Sequence, residues 1–288
     1  MKIKHWLLII FIITLISCPI TVHADTGPKP SVVIQFNGLE GENYYVTLLS
    51  ERDSTGPWSH GDSYYDYMGD KAVFDKFREY VDKDGYYFLS FTQDCSDDDQ
   101  FEWTYYPPAK FKLLIYYPDY DVFQVSDDIY ERYAFDSYFV VNIDQTEGID
   151  SNATLVLEKN YDYTKEIFSL IIRIIITISI EVVIAFLFGY RHKKNLKVIT
   201  VTNISTQVLL NVFLNFVRYI NGFYSFIFSY VLLEIVVILI EGYIYKKHTS
   251  PVDPVSDRKM HPVFYAITAN GASLLIGIWL ANIIPSIF

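Results

Sequence analysis

Residues 167–190 read IFSLIIRIIITISIEVVIAFLFGY, an apolar run interrupted by two charged side chains, Arg173 and Glu181. The run is long enough to cross roughly 30 Å of hydrocarbon as an α-helix. Three more runs of comparable length follow at 198–217, 223–245 and 262–284. The sequence therefore predicts a four-helix transmembrane domain over 166–288. Basic residues set its expected orientation. Arg191, Lys193, Lys194 and Lys197 follow the first run, Lys246, Lys247, Arg258 and Lys259 fill the link between the third and fourth, and Arg218 stands alone after the second. The positive-inside bias places the two basic links in the cytoplasm and the C-terminus outside. Tyr163, Tyr190, Tyr219, Tyr243 and Tyr245 lie near the run ends, where an aromatic belt is expected.

Polar side chains recur at one depth of these runs. Glu234 falls near the middle of the third, Gln207 near the middle of the second, and Glu181 and Asn270 slightly inside the middle of the first and fourth. Glu241 lies two turns beyond Glu234 and level with Asn203. Asn203, Gln207, Asn211 and Asn215 recur every four residues and share a slowly winding helix stripe. An ionised carboxylate at mid-membrane costs about 2.5–3.5 kcal/mol, so three cost on the order of 8–10 kcal/mol. Amide hydrogen bonds between helices return about 0.6 kcal/mol each. Helix glue alone does not offset three charges. The glutamates are expected to be protonated, hydrated or bound to a cation, and the polar core is read as Glu181, Asn203, Gln207, Asn211, Glu234, Glu241 and Asn270. Arg173 sits in the outer half of the first run, two turns from Glu181, too far for a direct bond.

The N-terminus carries Lys2 and Lys4, an apolar stretch from Trp6 to Ile16, and Val22-His23-Ala24. That pattern predicts a signal peptide over 1–24. Leu15-Ile16-Ser17-Cys18 also fits a lipidation site at Cys18, and a retained anchor is a third option; each sends the next segment outward. With Cys18 in the signal, Cys95 has no intrachain partner.

Residues 25–165 are expected to form an extracytoplasmic β-rich domain. It holds 28 Asp and Glu against 11 Lys and Arg, a net −17, which leaves +6 on the rest of a chain whose total is −11. So acidic an exterior excludes nucleic acid as a partner. Val32, Ile34 and Phe36 alternate as in a half-buried strand, and Tyr44 to Leu49 is apolar on both faces. Phe111, Leu113, Ile115 and Tyr117 alternate, turn through Pro118-Asp119-Tyr120-Asp121, and continue through Phe123 and Val125 as a hairpin. Tyr133, Phe135, Phe139, Val141 and Ile143 mark another strand, and Leu155 to Leu157 a last one. Asp70 is placed to cap a helix with Val73, Phe74, Phe77, Tyr80 and Val81 on its inner face, ended by Gly85. The expected fold is an α+β multi-domain membrane protein: a β-sandwich-like exported domain with one helix, followed by the transmembrane bundle.

Two regions, 50–69 and 93–109, read as long loops, and loops carry recognition more often than packing. Eighteen of the chain's 25 Tyr lie between 25 and 165. Trp58, Trp103, Tyr105 and Tyr106 are a candidate surface for a sugar or peptide; aromatic packing is the competing use. Asp94, Asp97, Asp98 and Asp99 crowd around Cys95 and are a candidate hard-cation site, against the simpler reading of a solvated acidic loop. Asp82-Lys83-Asp84-Gly85 resembles part of an EF-hand loop, but Tyr80 and Phe91 occupy the end ligand positions, so that match fails. The spans contain no His, HExxH or paired aspartates, and no nucleophile with its orienting groups is found. No cofactor is implied.

The stretches YYVTLLSERDSTGPW (44–58), CSDDDQFEWTYYPP (95–108) and ERYAFDSYFVV (131–141), with TNISTQVLLN (202–211), LEIVVILIEGYIY (233–245) and ANGASLLIG (269–277), resemble a group of uncharacterised Gram-positive bacterial membrane proteins. The resemblance covers most of the mature chain. It implies a bacterial cell-membrane location and the two-part architecture, and no activity. Three functions follow as expectations. The first is a non-enzymatic ligand-binding or sensing domain on a membrane bundle that meets partner subunits or itself. The second is a small proton- or cation-linked transporter or channel. The third is an envelope enzyme using Glu234 and Glu241 as acid and base.

Overall fold

The computed structural model describes residues 29–62, 64, 69–144, 149 and 155–283; the expected signal segment and Cys18 lie outside them. The chain divides into two compact units, one Gly27–Tyr161 and the other containing Asp162–Phe288.

The first unit is β-sheet-rich. Its strands are β1 (Ser31–Asn37), β2 (Tyr45–Ser50), β3 (Ser54–Thr55), β4 (Trp58–Ser59), β5 (Tyr87–Phe88), β6 (Gln93–Asp94), β7 (Gln100–Trp103), β8 (Lys110–Tyr117), β9 (Val122–Val125), β10 (Tyr130–Glu131), β11 (Asp136–Asn142) and β12 (Leu157–Lys159). One sheet has the order β12-β11-β1-β7; the other runs β10-β8-β2-β5, with β6 paired to β2 and β9 to β8. Both sheets bury one face in the same core: Val32, Ile34 and Phe36 from β1 pack with Val46 and Leu48 from β2 and Leu113 and Ile115 from β8. That shared core makes the unit sandwich-like.

A helix, α1 (Lys71–Glu79), covers the outer face of the second sheet. Asp70 accepts hydrogen bonds from the Ala72 and Val73 amides at 2.7 and 3.3 Å, which satisfies donors left free at a helix start. Val73, Phe74 and Phe77 then pack on Leu49, Phe88, Leu114 and Tyr116. Strands β2 and β8 are thus covered on both faces, which is why Tyr44 to Leu49 carries no polar alternation. The helix stops earlier than its spacing predicts. Tyr80 is extended, its ring 4.9 Å from Phe123, and Val81 is 87% exposed. The cause lies one residue on, where buried Asp82 turns inward to Lys112.

The two expected loops are shorter than predicted. Region 93–109 contains β6 and β7, and Phe101 and Trp103 point into the core while Glu102 between them is exposed. Region 50–69 contains the β3–β4 hairpin, which turns at Gly56 with φ +54; a Cβ there would lie 2.4 Å from the Tyr106 ring. The strand expected from Tyr133 begins at Asp136, because Ser137 Oγ accepts from the Tyr133 and Ala134 amides and holds them in a turn.

The second unit is helical: α2 (Tyr163–Phe188), α3 (Lys193–His248) and α4 (Pro262–Ile283). Two of these, α2 and α3, are long and apolar enough to cross a membrane. Gly189 ends α2 with a left-handed φ of 94°. The sequence separates 198–217 from 223–245; helical structure instead continues through 218–221, and the only non-helical residue within α3 is Gly222, at φ 78 and ψ −174. That backbone region is open essentially to glycine. Thr206 bonds Glu241 and Asn203 bonds Tyr245, so the limbs of α3 on either side of Gly222 lie antiparallel.

Candidate functional site

The helical unit has a buried polar interior. Glu181, Asn203 and Glu241 are fully buried, and Gln207, Glu234 and Asn270 are exposed by 5% or less. They come from α2, both limbs of α3, and α4. Each contributes for a sequence reason: a four-residue polar repeat keeps Asn203 and Gln207 on the inner stripe, and Glu234 and Glu241, seven apart, share a face. Asn211, the next in the repeat, is half-buried and turns back on its own helix to donate to the Gln207 carbonyl at 2.9 Å.

The three glutamates are treated differently. Glu241 is held at both oxygens: Thr206 Oγ1 bonds Oε1 at 2.6 Å and Asn270 Nδ2 donates to Oε2 at 2.6 Å. Glu234 has Tyr230 beside it, yet its Oε2 receives no hydrogen bond among the described residues. Glu181 has neither oxygen engaged. Asn203 stands next to it without reaching ordinary hydrogen-bond geometry, and the Asn203 amide nitrogen is itself unpartnered among the described residues. Asn203 Oδ1 accepts from the Tyr245 hydroxyl instead. The Tyr265 hydroxyl donates to the Glu181 backbone carbonyl at 3.0 Å, which fixes that turn of α2 against α4.

The polar side chains continue toward both ends. On one side Arg173 donates to Asn215 Oδ1 at 3.4 Å, and Tyr230 is near both Arg173 and Glu234. On the other, Tyr190 and Tyr245 are completely buried beside Tyr265, so neither belongs to an exposed aromatic belt; Tyr163 and Tyr243 do face outward. Beyond them the loop 249–261 folds back on the start of α3. Asp253 is fully buried and accepts five hydrogen bonds at 3.0–3.1 Å, from the Arg191, His192, Val255 and Ser256 amides and from Asn195 Nδ2. Burial alone would raise its pKa; the backbone donors outweigh burial and hold the carboxyl well below the usual range.

Thr206, Tyr230, Tyr245, Tyr265 and Asp253 escaped the sequence reading. Tyrosines near run ends read equally well as belt residues, and nothing in a Pro-Val-Asp-Pro loop shows which backbone amides its aspartate will meet.

In the β-rich unit the proposed aromatic surface is only partly a surface. Trp103 is fully buried, with its ring 4.4 Å from Phe91 and its Nε1 bonded to the Tyr105 carbonyl at 3.0 Å. It therefore does not belong to a ligand loop. Trp58 is half-buried and donates to the same carbonyl at 2.6 Å. Tyr105 and Tyr106 stay at the surface, Tyr106 at a left-handed φ of 54°. The acidic group also has local uses. Asp94 accepts from the Ser96 amide and hydroxyl, and Asp99 accepts from the Tyr44 hydroxyl at 3.0 Å. Asp97 and Asp98 are exposed. Among the described residues no three His, Cys, Asp or Glu side chains are grouped to hold a metal ion, and this applies to the aspartates and the glutamates alike. Cys95 is buried in the sandwich core, and burial pushes its thiol pKa up, away from reactivity.

No protein-family model, curated protein or solved structure matches this chain.

Proposed function

We propose that this chain is a multi-pass membrane protein whose helical unit forms a four-helix bundle that takes up and passes a small cation, the proton included. In this reading the β-rich unit and the C-terminus lie outside the cytoplasmic membrane, by the distribution of basic residues. Four helices are few for a transporter, so self-association or a partner subunit is part of the proposal.

One observation carries it. Glu181 is fully buried with both carboxylate oxygens unengaged among the described residues, inside a cluster built from every helical limb. Helix glue would show the pattern of Glu241, where each acceptor meets a donor. A carboxylate that its own fold leaves without donors needs a positive charge from elsewhere. The side chains from Arg173 through Tyr230 and Glu234 to Glu181, Asn203 and Tyr245 supply a polar route of the kind intramembrane ionisable residues mark.

A second reading keeps one specific support. Glu241 is so completely bonded that the bundle also suits a rigid anchor, with the outer unit acting as a sensing or binding module through Trp58, Tyr105 and Tyr106. An envelope enzyme using Glu234 and Glu241 is disfavoured, because both Glu241 oxygens are already occupied.

Flux measurements on the full chain in proteoliposomes separate these. Proton or alkali-cation flux that falls at least ten-fold in Glu181→Gln and Glu234→Gln supports the cation reading. A wild-type protein with no flux leaves the anchored sensing module.

A further inference from the structure

Resting on the cation reading above, the geometry points to a monovalent alkali cation, bound without most of its water at Glu181, as the ion the bundle selects. Unpartnered carboxylate and amide oxygens gather in the interior. Four buried oxygens receive no hydrogen bond among the described residues: both of Glu181, Oε2 of Glu234 and Oδ1 of Asn270. Also without partners among the described residues of the helical unit are the amide nitrogens of Asn203 and Gln207, Arg173 Nε, His192 Nδ1 and the Tyr190 hydroxyl. As placed, Asn203 accepts from the Tyr245 hydroxyl through Oδ1. Carboxylate and amide oxygens without donors are the ligands a hard cation uses.

The ion's charge class follows from the ligands. A divalent or transition metal draws on several carboxylate, imidazole or thiolate groups, and no three such groups converge among the described residues. Glu241 is withdrawn from coordination by Thr206 and Asn270. That leaves the Glu181 carboxylate, with the free oxygens of Asn270 and Glu234 at the same cluster. With Glu234 protonated, as the sequence allows, one negative carboxylate and neutral oxygens balance a single positive charge. The nearest guanidinium on the same helix is Arg173, which is turned toward Asn215 and does not neutralise Glu181. Asn270 Nδ2 donates to Glu241 and to the Ala266 carbonyl, which fixes the amide, and its oxygen stays buried without a donor among the described residues.

The test is thermal unfolding of the full chain in lipid nanodiscs, at equal ionic strength, in sodium, potassium or choline chloride, with magnesium and calcium as further arms. A ligand that binds only the folded state raises Tm with its concentration. The inference expects Tm to rise in sodium or potassium over choline, and at least a ten-fold weaker concentration dependence in Glu181→Gln. Equal Tm values in all three monovalent salts overturn it, as does a rise produced by the divalent ions alone or a full rise retained in Glu181→Gln. The wild-type comparison decides the matter even if that variant does not fold, and Asn270→Ala offers a second variant expected to weaken the alkali effect. Proton flux measured in parallel keeps the two proposals apart: equal Tm values beside wild-type proton flux remove the alkali site and leave the cation reading standing, whereas absence of both removes the two together.

Discussion

Lys112 in the β-rich unit and Glu181 in the helical unit are both fully buried ionisable side chains, and their surroundings could hardly differ more. Lys112 lies on β8 against the 82–86 segment that follows α1, 3.2 Å from Asp82 and 2.5 Å from Asp84. Asp82, buried with it, also accepts from the Asp84 and Tyr86 amides, so the whole group is bonded. Burial pulls the Lys112 pKa down, and the bonds to Asp84 and Asp82 together outweigh it and leave it raised. Glu181 has Asn203 beside it, but neither of its oxygens meets a donor at ordinary hydrogen-bond geometry among the described residues. A buried charge that the fold satisfies is part of the structure; one that it leaves bare asks for something from outside.

Breaking the satisfied group has the largest expected effect. Lys112→Ala strands the buried Asp82 carboxylate and should destabilise the β-rich unit by about 3–5 kcal/mol, read by denaturant unfolding of the full chain. A loss below about 1 kcal/mol would place this pair with weak surface bridges. The pH dependence has a definite sign. Because the folded-state pKa of Lys112 is raised, its contribution is complete below the unfolded value of about 10.4 and is lost as pH rises through the folded value. Unfolding curves recorded across that alkaline window should therefore shift to lower denaturant, and less so in Lys112→Met.

Asp253 is the helical unit's own example of a satisfied charge, and it sharpens the contrast. Asp253→Ala leaves buried amide donors of the 189–195 and 249–261 segments without acceptors, at about 1–3 kcal/mol for each group left unsatisfied. Faster proteolysis at the 249–261 loop is the expected readout, and unchanged cleavage would show that the clasp is dispensable. Smaller still is the helix cap: Asp70→Ala should cost about 1 kcal/mol, measured as a shift in the β-rich unit's midpoint, with Asp70→Asn nearly neutral.

Much of this contrast was hidden in the sequence, for identifiable reasons. Alternation at Val32, Ile34 and Phe36 marked β1, and the Pro118 to Asp121 turn marked the β8–β9 hairpin, because both depend on neighbours in the chain. The parallel pairing of β1 with β11, which sets Ile34 beside Phe139, depends on residues about a hundred positions apart and leaves no local trace. Lys112 alternates with apolar residues and so reads as solvent-facing; only Leu114 and Tyr116 on its own face hinted that this face is covered. Phe101 and Trp103 alternate with Gln100 and Glu102, a short strand lost among the acidic and aromatic residues of a presumed loop. In the helical unit Glu, Gln and Asn stand out in apolar runs, whereas Thr206, Tyr230, Tyr245 and Tyr265, which pack with them, carry no such mark. Which glutamate would be bonded was not legible, because Thr206 and Asn270 reach Glu241 from different helices.

The most direct measurement is the stability of Glu181→Leu in nanodiscs beside its flux. Replacing an unsatisfied buried charge with an apolar side chain should leave stability unchanged or raise it by about 1–4 kcal/mol, while flux is lost. A variant destabilised as severely as Lys112→Ala, or one that keeps wild-type flux, would contradict the account.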